Sequence, residues 1–170
     1  MEDKSKYTGR KIAIFTDAHS LLEPTVAVLE DARSRGITEI YSLGDNIGFG
    51  PNPGEVMDVM DAYGVVSIAG NAEEYSILGL KPFSSYMNGE RIAEQVWLES
   101  KLTNENIDQL KLYKRSIDLA LGGKKIALCH FAKSRLHGTR LRQSCGTDPH
   151  RCRRSADGVP ALRKKLSEAL

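Results

Sequence analysis

Apolar runs and amphipathic stretches alternate along the first part of the chain. Residues 11–15 (KIAIF) form a short run of β-favouring residues and read as a buried strand. Pro24 suits a first helical turn, Val26, Leu29 and Ala32 follow helical spacing, and Gly36 supplies the stop. Residues 37–43 (ITEIYSL) predict a second strand and residues 65–69 a third. Between them, residues 55–63 read as a helix with Val56, Val59 and Met60 on one face. Strands joined by helical crossovers pair in parallel, so this order predicts a parallel βαβαβ start.

Further on, residues 90–102 predict a helix with Ile92 and Val96 on one side and Ala93 and Trp97 beside them. Residues 103–113 predict another, with Thr103 as N-cap and Ile107 and Leu110 as apolar contacts. Residues 116–121 and 124–129 alternate apolar and polar positions around Gly122-Gly123, the pattern of a hairpin. The fold class expected is α/β.

A polar motif closes each strand: Thr16-Asp17, Gly44-Asp45, Gly70-Asn71 and, after the hairpin, His130. Sites in open parallel sheets form beyond the carboxyl ends of the strands, so Asp17, Asp45 and Asn71 are expected on one rim. Alone, an aspartate ending a strand is a cap or turn residue, Asn71 a turn or N-cap residue and His130 a strand-end histidine. As an ordered set with His19, two residues after Asp17, they offer carboxylate, imidazole and amide-oxygen donors. Such a mixture suits Mn, Fe, Zn or similar divalent ions. Asp45 has two oxygens and could bridge a pair of ions, which two-metal centres hold about 3.5–4 Å apart.

Asp17-x-His19, Gly44-Asp45, Gly70-Asn71 and His130, in this order, resemble the calcineurin-like metallophosphoesterase family over roughly residues 10–132. The resemblance implies an αββα sandwich, with a second sheet left incomplete without the usual C-terminal strands. It implies Asp17, His19 and Asp45 as ligands of one divalent ion and Asp45, Asn71 and His130 as ligands of a second. The stretch 44–53 (GDNIGFGPNP) is similar to a bacterial subgroup related to diadenosine tetraphosphatases. The function implied is hydrolysis of phosphoester or phosphoanhydride bonds by a metal-activated water, with nucleotides or dinucleoside polyphosphates as small-molecule substrates. Two positions depart from the family pattern. Ala72 stands where members carry a histidine that serves the transition state or the leaving group. No Gly-His-x-His motif follows His130, and the nearest substitutes, His137 and His150, lack its spacing.

Charge changes the picture only near the end. Residues 1–132 hold 14 Lys+Arg against 19 Asp+Glu, while residues 133–170 hold 10 against 3 and contain no Ile, Phe, Tyr, Trp, Met or Asn. The expected organisation is therefore a metallophosphoesterase domain over 1–132 and a basic, atypical tail over 133–170, which reads as solvated, disordered and foreign to the family, as a frameshift product would be. Residues 160–170 align Leu162, Leu166 and Leu170 at helical spacing. One rival reading is a weakly active or inactive metal-binding fragment. Another is nucleic-acid binding through the tail, which ranks below a small-molecule substrate. The polar N-terminus lacks the apolar core of a signal peptide, no run is long enough to span a membrane, and the three cysteines form no disulfide framework. A cytoplasmic protein is expected, with Cys129 a small buried hydrophobe.

Overall fold

The computed structural model describes residues 9–131 apart from Ser84 and Tyr86. The expectations for the basic tail, including His137, His150 and the helix over 160–170, lie outside these residues. The chain divides into two units, Met1–His130 and Phe131–Leu170; of the second, only Phe131 is among the described residues.

The elements run β1 (Ala13–Phe15), α1 (Leu22–Ser34), β2 (Ile40–Ser42), α2 (Pro53–Ala62), β3 (Val66–Ser67), α3 (Asn71–Leu78), α4 (Gly89–Glu99), α5 (Asn104–Lys111), β4 (Ser116–Leu121) and β5 (Lys124–Cys129), with a 3-10 turn at Lys81–Phe83. The first three strands pair in parallel in the order β1-β2-β3, and β4 and β5 form a separate antiparallel pair. This is the expected α/β class with its parallel start, and the second sheet has two strands among the described residues.

Burial corrects one expectation. The apolar run of β1 reads as buried, yet Ile14 is 45% exposed. The physical reason is position: β2 sits between its neighbours and is buried along its whole length, while β1 lies at the edge of the described sheet. The register carries the site. Phe15, Ser42 and Ser67 share one row, so the loops after the three strands leave from the same level.

Local signals set the helix ends. The Gly36 N–H donates to Arg33 O at 2.9 Å and the Ile37 N–H to Ala32 O at 3.0 Å, which closes α1 where the glycine predicted. Thr103 Oγ1 accepts from the Asn106 N–H at 3.2 Å while Asn106 Oδ1 accepts from the Thr103 N–H at 3.0 Å. This reciprocal cap starts α5 at the expected place.

Two helices differ from the sequence pattern. The α3 helix was not expected, because the spacing after Asn71 is weakly periodic; its signal is Glu73 in the third helical position behind Gly70. In α4 the predicted apolar face is turned out, with Val96 56% and Trp97 39% exposed. Its inward face carries Leu98 and Gln95, the latter donating to Ser76 Oγ at 2.8 Å. Packing against α3 selected a face with fewer apolar residues than the one opposite.

Ile47, Met57, Ala72, Leu98 and Leu110 form one buried cluster that joins α2, α3, α4 and α5 to the loop after β2. The hairpin pairs as expected, from Ser116↔Cys129 to Leu121↔Lys124. Its root lies beside the parallel sheet, since the Ala69 N–H donates to Lys114 O at 2.8 Å. The residue after β5, His130, leaves this same end and meets Leu43 O, just past β2, at 2.9 Å. Among the described residues no helix is long and apolar enough to cross a membrane.

Candidate metal centre

Two loops build the rim of the parallel sheet. The loop after β1 continues the sheet's hydrogen bonding without being a strand: Asp17 N–H donates to Gly44 O at 3.0 Å, His19 N–H to Asp45 O at 3.0 Å and Ser20 N–H to Asn46 O at 2.8 Å. Among the described residues, the non-glycine positions with positive φ are Asp17, His19, Ser20 and Asp45. Left-handed backbone costs an ordinary side chain on the order of 1–2 kcal/mol. Its concentration in these two loops marks a place where side-chain direction outweighs backbone comfort.

Glycine lets the third loop come close. A Cβ on Gly44 would lie 2.4 Å from Gly70 N, and one on Gly70 would lie 2.2 Å from Asp45 Oδ1. Only hydrogen at both positions allows the loops after β2 and β3 to touch.

The structure brings all five expected ligand residues together. A carboxylate oxygen from each of Asp17 and Asp45 and a ring nitrogen of His130 lie within 4.8 Å of one another. His19 joins through Asp17, with Nε2 3.4 Å from Oδ1. His130 Nε2 is 3.5 Å from Asp45 Oδ2. Its other ring nitrogen, Nδ1, is 2.9 Å from Leu43 O, and His19 Nδ1 is 3.4 Å from Ile47 O. A backbone carbonyl beside each Nδ1 holds the ring so that Nε2 faces a carboxylate oxygen.

Asn71 repeats the theme. With its amide oxygen toward the site, that oxygen stands 3.2 Å from Asp45 Oδ2; turned over, the amide nitrogen donates to Asp45 Oδ2 across the same distance and the oxygen accepts from Ala72 N–H at 3.3 Å. The first orientation is the ligating one. Ring nitrogens, carboxylate oxygens and an amide group, all able to ligate a metal, thus crowd together on one rim, buried at Asp45 and His130 and open to water at Asp17. Such contacts repel unless a proton or a cation lies between them. The donor set of carboxylates, imidazoles and an amide oxygen fits a divalent ion of the Mn, Fe or Zn type.

Glu73 is a functional residue that strand-end reasoning missed. Its side chain is fully buried. Its carboxylate accepts N–H groups from Asp45 at 2.9 Å, Asn46 at 2.7 Å and Gly70 at 2.8 Å, with Ile47 at 3.4 Å. One acid thus ties the loop of Asp45 to the loop of Asn71. Burial pushes its carboxyl up, while the N–H groups of Gly70, Asn46 and Asp45 pull it back. Asp45 is aimed by a further bond, Ala72 N–H to Oδ1 at 2.9 Å.

A cavity of about 180 Å³ opens beside the cluster, and His19, Asp45 and Asn71 contribute to its wall with Phe49, Ala72 and Arg91. A Cβ on Gly48 would lie 2.7 Å from His19 Nδ1, so the glycine-rich loop presses directly on a site residue. Cys129, next to His130, is a partly buried free thiol.

Comparison with known proteins meets the same region. The sequence model of the "Calcineurin-like phosphoesterase superfamily domain" matches residues 11–152. An uncharacterized protein of Methanocaldococcus jannaschii is 35% identical over 119 residues, 70% of this chain and 48% of that protein. The crystal structure of a metallophosphoesterase from Sphaerobacter thermophilus superposes with a TM-score of 0.50 at 28% identity, covering 62% of this chain and 42% of that one. A hypothetical protein from Pyrococcus horikoshii shares the fold with a TM-score of 0.59 at 18% identity, covering 68% of this chain and 52% of its own. The chain therefore spans about half the length of these relatives. From the strand-end motifs, the parallel rim and these matches together, the chain belongs to the calcineurin-like phosphoesterase superfamily.

Proposed function

We propose that this chain hydrolyses phosphoester or phosphoanhydride bonds with the help of divalent ions held by Asp17, His19, Asp45, Asn71 and His130. The observation that carries the reading is the convergence of groups able to ligate a metal: two imidazole–carboxylate contacts at 3.4 and 3.5 Å share one rim with the Asn71 amide beside Asp45. Asp17 and His19 would hold one ion, Asn71 and His130 a second, and Asp45 would reach both. Divalent ions bound there would lower the pKa of water and draw charge from the phosphoryl oxygens.

The chain's own groups do the positioning. Leu43 O and Ile47 O orient the two imidazoles, Ala72 N–H aims Asp45, and Glu73 keeps the two loops in register. No side chain at position 72 can protonate a leaving oxygen. General acid catalysis contributes about 10²–10⁴-fold where it operates, so good leaving groups are favoured. Nucleotides and dinucleoside polyphosphates are the preferred substrates, in line with the resemblance of residues 44–53 to the diadenosine tetraphosphatase-related subgroup.

A second reading, a metal-binding domain without turnover, is favoured by the alanine at 72. Hydrolysis of p-nitrophenyl phosphate esters and of a dinucleoside tetraphosphate, assayed with Mn²⁺, Zn²⁺ or Fe²⁺, separates the two. Turnover lost on chelation and restored by metal is expected. A well-folded chain that binds metal and turns over none of these substrates would leave only the second reading.

A further inference from the structure

The cavity beside the cluster carries groups that metal binding does not use. Phe49 is 59% exposed. Its ring packs edge-on against the His19 imidazole, with centroids 4.7 Å apart. The guanidinium carbon of Arg91, on α4, lies 5.6 Å from the centre of the same ring. One aromatic ring therefore touches both an expected metal ligand and a cation. Among the described residues, no carboxylate lies within salt-bridge distance of Arg91. Contact with a ring face orders a guanidinium while leaving its fork of N–H donors open for a planar or tetrahedral anion.

Size and chemistry narrow the ligand. About 180 Å³ is well below the roughly 300–1,000 Å³ of sites that enclose a whole drug-sized molecule. The cavity takes one group of a larger substrate, and it adjoins the reacting centre. At that centre Ala72 offers no proton to a departing oxygen, so the leaving group must be stable as an anion. A phosphate is such a group, and a bidentate guanidinium is a strong partner for it.

We propose that Phe49 and Arg91 form a subsite for the leaving group, and that this group is a phosphate joined to the scissile phosphorus through an anhydride oxygen. This deepens the proposed function and rests on it. In the reaction the oxygen of water bonds to the scissile phosphorus and the bond from that phosphorus to the bridging oxygen breaks. The bridging oxygen keeps the electron pair as part of the departing phosphate, whose charge Arg91 holds, and the proton lost by water passes to solvent. No proton needs to reach the leaving oxygen. An ester with an alkoxide leaving group gains nothing from this subsite.

The test uses the full chain loaded with Mn²⁺ and two non-hydrolysable probes, methylphosphonate with one phosphorus and methylenediphosphonate with two, titrated calorimetrically. Wild type is expected to bind the two-phosphorus probe more tightly, and Arg91→Gln to lose about tenfold of that preference while its affinity for methylphosphonate stays within about twofold. Arg91→Lys, which keeps the charge but not the fork, is expected in between. Arg91 is solvent-exposed, so the variants should fold, and Mn²⁺ affinity unchanged from wild type confirms an intact cluster. An unchanged preference in Arg91→Gln, or no preference in a wild type that binds Mn²⁺, overturns the subsite and leaves the proposed function standing. Failure of wild type to bind Mn²⁺ at all overturns both.

Discussion

The Asp45–His130 side of the cluster and the Asp17–His19 side meet very different amounts of water: the side chains are 6% and 9% exposed on the first and 47% and 22% on the second. The buried side is held by side-chain and backbone bonds from three directions, through Glu73, Ala72 N–H and Leu43 O. The open side is held by backbone bonds to the loop of Asp45 and by Thr16 Oγ1, which donates to Asp17 Oδ2 at 2.6 Å. Charge interactions weaken as water approaches. The buried side should therefore set affinity for an ion, while the cavity that would admit substrate is walled from both sides, by Asp45 and by His19.

Substitutions on each side test that division. Asp45→Asn should have the largest effect, because it removes the charge that both sides share; loss of Mn²⁺ affinity on the order of 100-fold or more is expected by calorimetry. If Asn71→Ala weakened binding more than Asp45→Asn, Asp45 would not be the bridge. Glu73→Gln should come next. It turns an amide nitrogen toward N–H donors and leaves buried groups unsatisfied, at a cost of about 2–4 kcal/mol in urea denaturation. A Mn²⁺ affinity lowered with it would tie the loops' register to the site, whereas lost stability with unchanged affinity would confine Glu73 to folding.

Asp17→Asn should cost less than either, about a few-fold to tenfold in Mn²⁺ affinity, because its carboxylate is half in water. An effect equal to that of Asp45→Asn would erase the contrast between the two sides. The smallest effect is expected far from the rim. Arg10 pairs with Glu39 and donates to Ala120 O at 3.0 Å, linking the β1–β2 edge to the hairpin. The Arg10 bond holds the Glu39 carboxyl below its ordinary value of 4.5, against the opposing effect of burial. A depressed carboxyl adds stability above the unfolded value and loses it as the pH falls through the folded one. Thermal melts below about pH 4.5 should therefore lose a small increment in wild type that Glu39→Gln lacks, with Mn²⁺ binding at neutral pH the same in both.

How far the sequence alone reaches follows the same division. Asp17, Asp45 and Asn71 were readable as a group because parallel strands of matched register end level, and the polar residue after each apolar run falls on that rim. The hairpin was readable to the residue from its alternation and glycine pair. Glu73 was not, because three of the four N–H groups it accepts from belong to residues more than twenty positions earlier in the chain. The inward face of α4 was not either, since Gln95 and Leu98 are selected by α3 and the cavity rather than by their own periodicity. Phe49 and Arg91 are far apart in sequence, and only packing sets them over one another.

Anomalous scattering from crystals grown with Mn²⁺ tests the central claim most directly. The claim predicts ion density among Asp17, His19, Asp45, Asn71 and His130, with Asp45 reaching more than one ion. Crystals in which Mn²⁺ is absent from that rim, or bound only elsewhere on the chain, would contradict it.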